Sequence, residues 1–180
     1  MKRDHDVVID EDVADRVVVS FSTCGQRQLE PLQRVVDALA ELPVDVLVTT
    51  GAAVDPESVR AGGNARVVDF VPHQRVFPGA SLVITHAGMG TIMKALAYGV
   101  PLVCMPMGRD QFFNAARVEA LGAGVTVTVE SPADVVRDAV HTALANRGLQ
   151  SNARHLAGLI ATYRGQADAV KRIEALSPDG

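Results

Sequence analysis

The sequence predicts a doubly wound α/β domain built around a mainly parallel sheet of six strands. Short β-branched runs of strand length alternate with segments whose apolar residues recur every three or four positions. Glycine, proline and small polar residues separate these segments, as they do where turns join strands to helices. Such alternation is typical of helices that carry the chain between parallel strands, in a fold whose ligands bind at the carboxyl ends of the strands.

The composition fits one compact domain. The chain has 180 residues, 48% of them apolar, and a formal net charge of −4. This acidic balance argues against a nucleic-acid partner, because nucleic-acid-binding proteins present a basic surface. No apolar run has the length of a membrane span, and the polar start lacks the apolar core of a signal peptide. We therefore expect a cytoplasmic protein without a membrane partner.

The N-terminal segment and the two cysteines carry no functional motif. Residues 1–15 are rich in aspartate and are interpreted as a tail or linker remnant, so the domain is expected to span residues 16–180. Cys24 and Cys104 lack metal-type spacing and a secretory context that would favour a disulfide. They are expected to be reduced structural thiols.

Six segments rich in β-branched and apolar residues are predicted as strands. In chain order they are residues 16–21, 44–49, 66–70, 82–85, 102–105 and 124–129.

Helices are predicted between and after these strands. In the first, Leu29, Leu32 and Leu39 recur at helical spacing, and Pro43 prevents the helix from continuing. Residues 51–63 are interpreted as a loop with at most a short helix. Ser131 is expected to cap a helix that reaches Leu144. The other helices are expected at residues 88–98, 110–121, 149–163 and 166–176.

The segment of residues 85–91, Thr-His-Ala-Gly-Met-Gly-Thr, joins a predicted strand to a predicted helix. A helix start leaves several backbone N–H groups unpaired at its positive end, and glycines let a phosphate approach them. The segment therefore predicts a phosphate-bearing ligand. Polar residues at 22–23, 72–73 and 108–111 also follow predicted strands and should share the same rim.

Several motifs together resemble the donor-binding signature of nucleotide-sugar-dependent glycosyltransferases. They are Phe-Val-Pro-His at 70–73, the segment at 85–91, Gly-Val-Pro-Leu at 99–102, Asp-Gln at 110–111 and Asn-Ala at 114–115. Residues 19–23 also resemble the first strand and turn of that domain. The resemblance covers roughly residues 16–145 and is to the C-terminal half of GT-B enzymes, the family of plant secondary-metabolite and bacterial macrolide or antibiotic glycosyltransferases. It implies a Rossmann-like sheet.

The resemblance also implies roles for individual residues. Those expected to hold the donor diphosphate are Ser22, Thr23, His86, Gly88, Met89, Gly90 and Thr91. Those expected beside the base and ribose are Phe70, Val71, His73 and Lys94. Asp110 and Gln111 would bind sugar hydroxyls. No cofactor and no metal are expected, since residues 16–180 contain no Asp-x-Asp motif. In place of a metal, the helix dipole and hydrogen bonds would stabilise the departing nucleoside diphosphate.

Lys94 departs from the family pattern, in which many members have a glutamate that accepts hydrogen bonds from the ribose hydroxyls. An ammonium group cannot accept these bonds. Either the ribose is held differently, or the donor carries deoxyribose, as in a thymidine diphosphate sugar. Simpler roles also exist for single residues: a cap or structural residue for His86, a helix N-cap for Asp110 and a solvated surface charge for Lys94.

The resemblance predicts the donor-binding half of an inverting glycosyltransferase that transfers sugar from a UDP or TDP donor to a small-molecule hydroxyl, such as that of a natural product. The general base and most of the acceptor site would belong to an N-terminal domain outside this sequence, so the chain alone should be inactive. Two alternatives remain: a donor-binding subunit with a membrane-anchored acceptor partner, and a non-catalytic nucleotide-binding module. A dehydrogenase fits the sequence less well, because residues 22–25 lack the glycine-rich turn that follows the first strand in dinucleotide-binding proteins.

Overall fold

The computed structural model describes residues 15–21, 28–163 and 165–176. The predicted strands form in it, and every pairing between them is parallel. They are β1 Arg16–Ser20, β2 Asp45–Thr49, β3 Ala65–Val68, β4 Leu82–Thr85, β5 Leu102–Cys104 and β6 Gly124–Thr126. Their order in the sheet is β3-β2-β1-β4-β5-β6, which confirms the predicted doubly wound, Rossmann-like fold.

Helices cover both faces of this sheet. They are α1 Leu29–Leu39, α2 His73–Val76, α3 Met89–Ala97, α4 Gln111–Ala120, α5 Ala133–Ala145, α6 Arg147–Thr162 and α7 Gly165–Leu176, with 3-10 turns at Gly51–Ala53 and Pro56–Ser58. Alternate residues of β1 divide the core: Val17 and Val19 pack with α1 and α5, whereas Val18 packs with α3, α4 and α6. The central strand is therefore buried on both faces, which explains its continuous β-branched run.

Strands β1 and β5 end one residue earlier than predicted, and the edge strands β3 and β6 end two and three residues earlier because their neighbours are short. The ladder of β3 ends where Val68 pairs with Thr49, the last residue of β2. The ladder of β6 ends where Thr126 pairs with Cys104, the last residue of β5. Both are edge strands with one neighbour each, so the residues that follow have no strand to pair with.

Apart from shifts of one residue at helix ends, the helices differ from prediction in three places. The short helix α2 was not predicted, because four residues carry no helical period. The predicted cap of α5 is wrong: Pro132 occupies the N-cap position without a side-chain bond, and the Ser131 hydroxyl lies 3.1 Å from that of Thr128. Helix α6 begins two residues before the predicted start, because the side chain of Asn146 accepts from the N–H groups of Gly148 and Leu149.

The sheet reverses its order between β1 and β4, and this junction positions the site. Ser20 and Thr85 are paired at the carboxyl ends of these strands. The segments that follow them therefore emerge side by side, and such a junction is where doubly wound folds bind ligands. None of the helices in the described part of the chain combines the length and apolar character needed to cross a membrane.

Candidate functional site

A cleft of about 290 Å³ lies at the carboxyl ends of the strands, next to the junction of β1 and β4. The predicted residues that line it are Phe70, Val71, His73, His86, Gly88, Gly90, Thr91 and Lys94. Residues that were not predicted also line it, namely Ser20, Phe21, Thr49, Gly51 and Asp69. The structure thus brings together four separate segments of the chain, residues 20–21, 49–51, 69–73 and 86–94.

The ring of His86 lies against the first turn of α3, over Gly88. A Cβ atom added to Gly88 would lie 2.5 Å from Nε2 and 2.9 Å from Cε1 of this ring. Gly88 itself has an ordinary extended conformation, with φ −66° and ψ 132°. Glycine is therefore needed here for the space that the imidazole occupies, and not for its backbone freedom.

The start of α3 offers fewer free N–H groups than predicted. The N–H of Thr91 donates to the carbonyl oxygen of Gly88 at 3.0 Å, and the same oxygen accepts from Ile92 at 3.1 Å. The Thr91 amide is thus already paired, and its hydroxyl is the group that can face a ligand. The N–H groups of Met89 and Gly90 belong to the first turn, so they have no acceptor within the helix. The Met89 side chain is 49% exposed and does not line the cleft.

Asn114 is a residue of this site to which the sequence assigned no role. Its Nδ2 donates to the carbonyl oxygen of Ala87 at 3.1 Å and to Oδ2 of Asp110 at 2.8 Å. Ala87 has φ 65°, and Arg109, next to Asp110, has φ 57°. Both values fall in the left-handed region that non-glycine residues rarely adopt. The buried amide of Asn114 therefore joins two unusual turns, one after β4 and one before α4.

Asp110 and Gln111 lie outside the lining of the cleft. Asp110 is exposed and takes the N-cap position of α4, but its carboxylate makes no capping bond and accepts from Asn114 instead. Gln111 is 4% exposed, and its Oε1 accepts from the N–H groups of Met107 at 2.8 Å and Gly108 at 3.2 Å. The Gln111 oxygen thus holds the loop that precedes α4.

His73 is a neutral, packed residue on one wall of the cleft. Its Nε2 lies 3.1 Å from the hydroxyl of Ser20, and its ring stacks on Phe77 with centroids 4.4 Å apart. Burial, and then the nearby charge of Lys94, lower the pKa of His73 to about 4. Within the described residues its buried Nδ1 has no hydrogen-bond partner. At neutral pH this side chain brings no charge to the cleft.

Burial also lowers the pKa of His86, although a hydrogen bond to the backbone of Ser20 and the charge of Asp110 oppose this shift. A neutral imidazole has a single N–H. When that proton is donated to the Ser20 backbone, the other ring nitrogen can donate to an anion only after His86 takes up a second proton. An anion bound beside His86 would raise its pKa and promote this uptake.

Some of the predicted residues lie outside the part of the chain that the structure describes. Ser22, Thr23 and Cys24 lie outside the described residues, as does nearly all of the predicted tail. Cys104 is buried in β5, and burial raises the pKa of its thiol to about 12, so it is unreactive. Across the described ranges, no three His, Cys, Asp or Glu side chains are grouped as metal ligands would be.

This strand order defines a Rossmann-like domain, and the histidine–glycine turn at its sheet junction fits the GT-B glycosyltransferase class that the motifs resemble. A family profile described as "Erythromycin biosynthesis protein CIII-like, C-terminal domain" matches residues 33–176. The chain therefore belongs to the EryCIII-like C-terminal domain family, as the resemblance indicated.

Known proteins of related sequence and structure support this assignment. The NDP-glycosyltransferase YjiC of Bacillus subtilis is 29% identical over 180 residues, which are 97% of this chain and 45% of that protein. The crystal structure of the kitacinnamycin glycotransferase has a TM-score of 0.86 and 26% identity, and the match covers 99% of this chain and 47% of that one. The glycosyltransferase VinC, solved in complex with DTDP, has a TM-score of 0.76 and 26% identity, covering 91% and 42% of the two chains. The chain thus spans less than half the length of these relatives.

Proposed function

We propose that this domain binds the nucleoside diphosphate sugar of an inverting glycosyl transfer to a small-molecule hydroxyl. The single observation that carries the proposal is the His86 ring held over Gly88 at the start of α3, at the sheet junction. A helix start, a histidine and the Thr91 hydroxyl together provide the hydrogen-bond donors that a diphosphate needs. The complex of the related VinC with DTDP supports a nucleoside diphosphate as the ligand.

The lining of the cleft suggests how the donor would lie. The diphosphate would contact His86 and the start of α3, and the base and ribose would extend past Phe70 and Val71 toward His73. Phe70 is 59% exposed, so its ring is available for a base to stack on. The sugar would then point toward Asp110, whose exposed carboxylate can accept from hydroxyl groups, while Gln111 shapes the loop at this end.

In this reaction the acceptor oxygen attacks the anomeric carbon as the bond to the diphosphate oxygen breaks, with inversion at that carbon. Negative charge grows on the departing diphosphate, and groups fixed around it before the reaction stabilise this charge. The acceptor hydroxyl must also lose its proton to a base within hydrogen-bond reach. We assign that base to a part of the enzyme outside this chain, so these 180 residues should bind the donor without transferring its sugar.

A titration with uridine, thymidine and guanosine diphosphates, followed by amide chemical shifts, tests the proposal. We expect one or two of them to bind and to shift residues 86–91 most strongly, and His86→Ala to weaken this binding. No binding by any of the three would overturn the proposal. Thymidine diphosphate should bind at least as tightly as uridine diphosphate, and a distinct preference for uridine diphosphate would exclude a deoxyribose explanation of Lys94.

A further inference from the structure

We propose that Lys94 is a ligand of the donor diphosphate and not a residue of the ribose subsite. This inference rests on the function proposed above and assigns Lys94 a new role within that site. It follows from the position of Lys94 on α3, from the charges that line the cleft and from the lack of an ion pair to Lys94 within the described ranges.

The helix places Lys94 one turn above the start of α3, on the face that the cleft uses. Gly90 and Thr91 precede it by four and three residues, which puts them on the same side of the helix, and all three line the cleft. The axial distance from Gly90 to Lys94 is about 6 Å. Helical side chains lean toward the N-terminus of their helix, and the four-carbon stem of lysine spans a similar distance. The ammonium group can therefore reach an anion bound at the first turn.

The charge balance of the cleft supports the same role. Both histidines that line it have lowered pKa values and are neutral at pH 7 in the free protein. Among the described lining residues, Lys94 is then the one cation and Asp69 the one carboxylate. The start of α3 adds only about half a positive charge. Even with a proton taken up at His86, a diphosphate with at least two negative charges would exceed the positive charge that His86 and the start of α3 supply, and Asp69 adds a further negative charge. The ammonium group of Lys94 offsets this excess.

Lys94 is also available for this contact. It is exposed, and within the described ranges it takes part in no ion pair. Asp69, the carboxylate that lines the cleft, uses Oδ1 to accept from the N–H of Phe70 at 2.6 Å. A diphosphate would therefore not have to displace an existing partner of Lys94 within the described structure.

Three probes separate a diphosphate contact from a ribose contact: thymidine diphosphate, thymidine and inorganic pyrophosphate, each titrated by amide chemical shifts. Lys94→Gln should raise the Kd of thymidine diphosphate and of pyrophosphate about tenfold, as expected for one charge-assisted hydrogen bond. The Kd of thymidine should stay within twofold, and Lys94→Arg should restore most of the loss. The dependence of the thymidine diphosphate Kd on NaCl should be weaker in Lys94→Gln, because salt screens one charge pair fewer.

The matched control is Arg147→Gln, which removes one exposed positive charge at the start of α6. This residue follows α5, which returns the chain from the carboxyl ends of the strands to their amino ends, so its charge lies far from the cleft. The control should leave all three Kd values unchanged. An unchanged pyrophosphate Kd in Lys94→Gln, or a loss confined to thymidine, would overturn the inference while leaving the proposed function intact. If the wild-type protein bound no nucleoside diphosphate, both would fall.

Discussion

Replacing Gly88 with alanine tests whether the position of the His86 ring decides nucleotide binding. The backbone angles of Gly88, −66° and 132°, suit any L-residue, so the methyl group introduces no backbone strain. Its Cβ would, however, lie 2.5 Å from Nε2 of His86. Because this is far inside van der Waals contact, the ring must rotate away from the start of α3.

The size of the effect follows from the bond that is lost. A hydrogen bond to a charged group contributes about 1.5–3 kcal/mol, so Kd for a nucleoside diphosphate should rise about 10- to 100-fold. The free energy of unfolding should fall much less, by about 1 kcal/mol, since the main disturbance is a change of one rotamer. Isothermal titration calorimetry measures the first quantity, and urea denaturation measures the second.

A double-mutant cycle identifies the cause. His86→Ala removes the ring and leaves room for the methyl group. If Gly88 acts through His86, adding Gly88→Ala to His86→Ala should change Kd less than about twofold, whereas in the wild-type protein the same substitution changes it at least about tenfold. Equal effects of Gly88→Ala in both backgrounds would refute the reasoning, because the methyl group would then act on the ligand directly.

Asn114→Ala should lower the free energy of unfolding by about 2–3 kcal/mol, because a buried amide with two hydrogen bonds is lost. Urea denaturation measures this change, and an unchanged unfolding midpoint would contradict it. Binding of a sugar nucleotide, whose phosphates do not titrate near neutral pH, should be accompanied by proton uptake at His86. The calorimetric binding enthalpy should therefore vary with the ionisation enthalpy of the buffer, and a buffer-independent enthalpy would exclude the uptake. The pKa of His73 is lowered from 6.5 to about 4, so the unfolded chain binds a proton in this interval that the folded chain does not. The contribution of His73 to the free energy of unfolding should be complete above pH 6.5 and lost as the pH falls toward 4. His73→Phe should remove that part of the pH dependence, measured by urea denaturation at a series of pH values. Gly124→Ala should lower the melting temperature sharply, because its Cβ would lie 2.4 Å from a backbone oxygen of β5. Gly158→Ala, which faces open space within α6, should instead stabilise the helix by up to about 1 kcal/mol. Similar melting temperatures for the two variants would show that β6 can shift to make room.

The fold was accessible from the sequence because its central strands are buried on both faces. A run such as Val17 to Val19 is unambiguous, and the helices between the strands show clear periodicity. The ends of edge strands were not accessible, because they depend on how far the neighbouring strand extends. The cap at Asn146 has the right residue type, but Arg147 and Gly148 are not apolar, so the apolar period begins only at Leu149 and hides the helix start.

The motifs located most of the described cleft, because a motif fixes where strand ends and helix starts lie in sequence. They could not show how side chains pair across segments. Asn114 is 27 residues from Ala87, and the carbonyl oxygen it contacts belongs to the backbone, so no residue pattern signals the bond. The role of Gly88 was likewise hidden, since a glycine in a turn suggests backbone freedom, whereas here it leaves room for the ring of His86.

The bond network of Asn114 has a consequence for attempts to change donor preference by exchanging loops between relatives. The turn after β4 and the start of α4 share one buried amide, and each contains a residue in the left-handed conformation. A chimera with a crossover between these segments would combine a turn from one parent with an amide that fits another. Residues 85–114 should therefore be transplanted as one cassette.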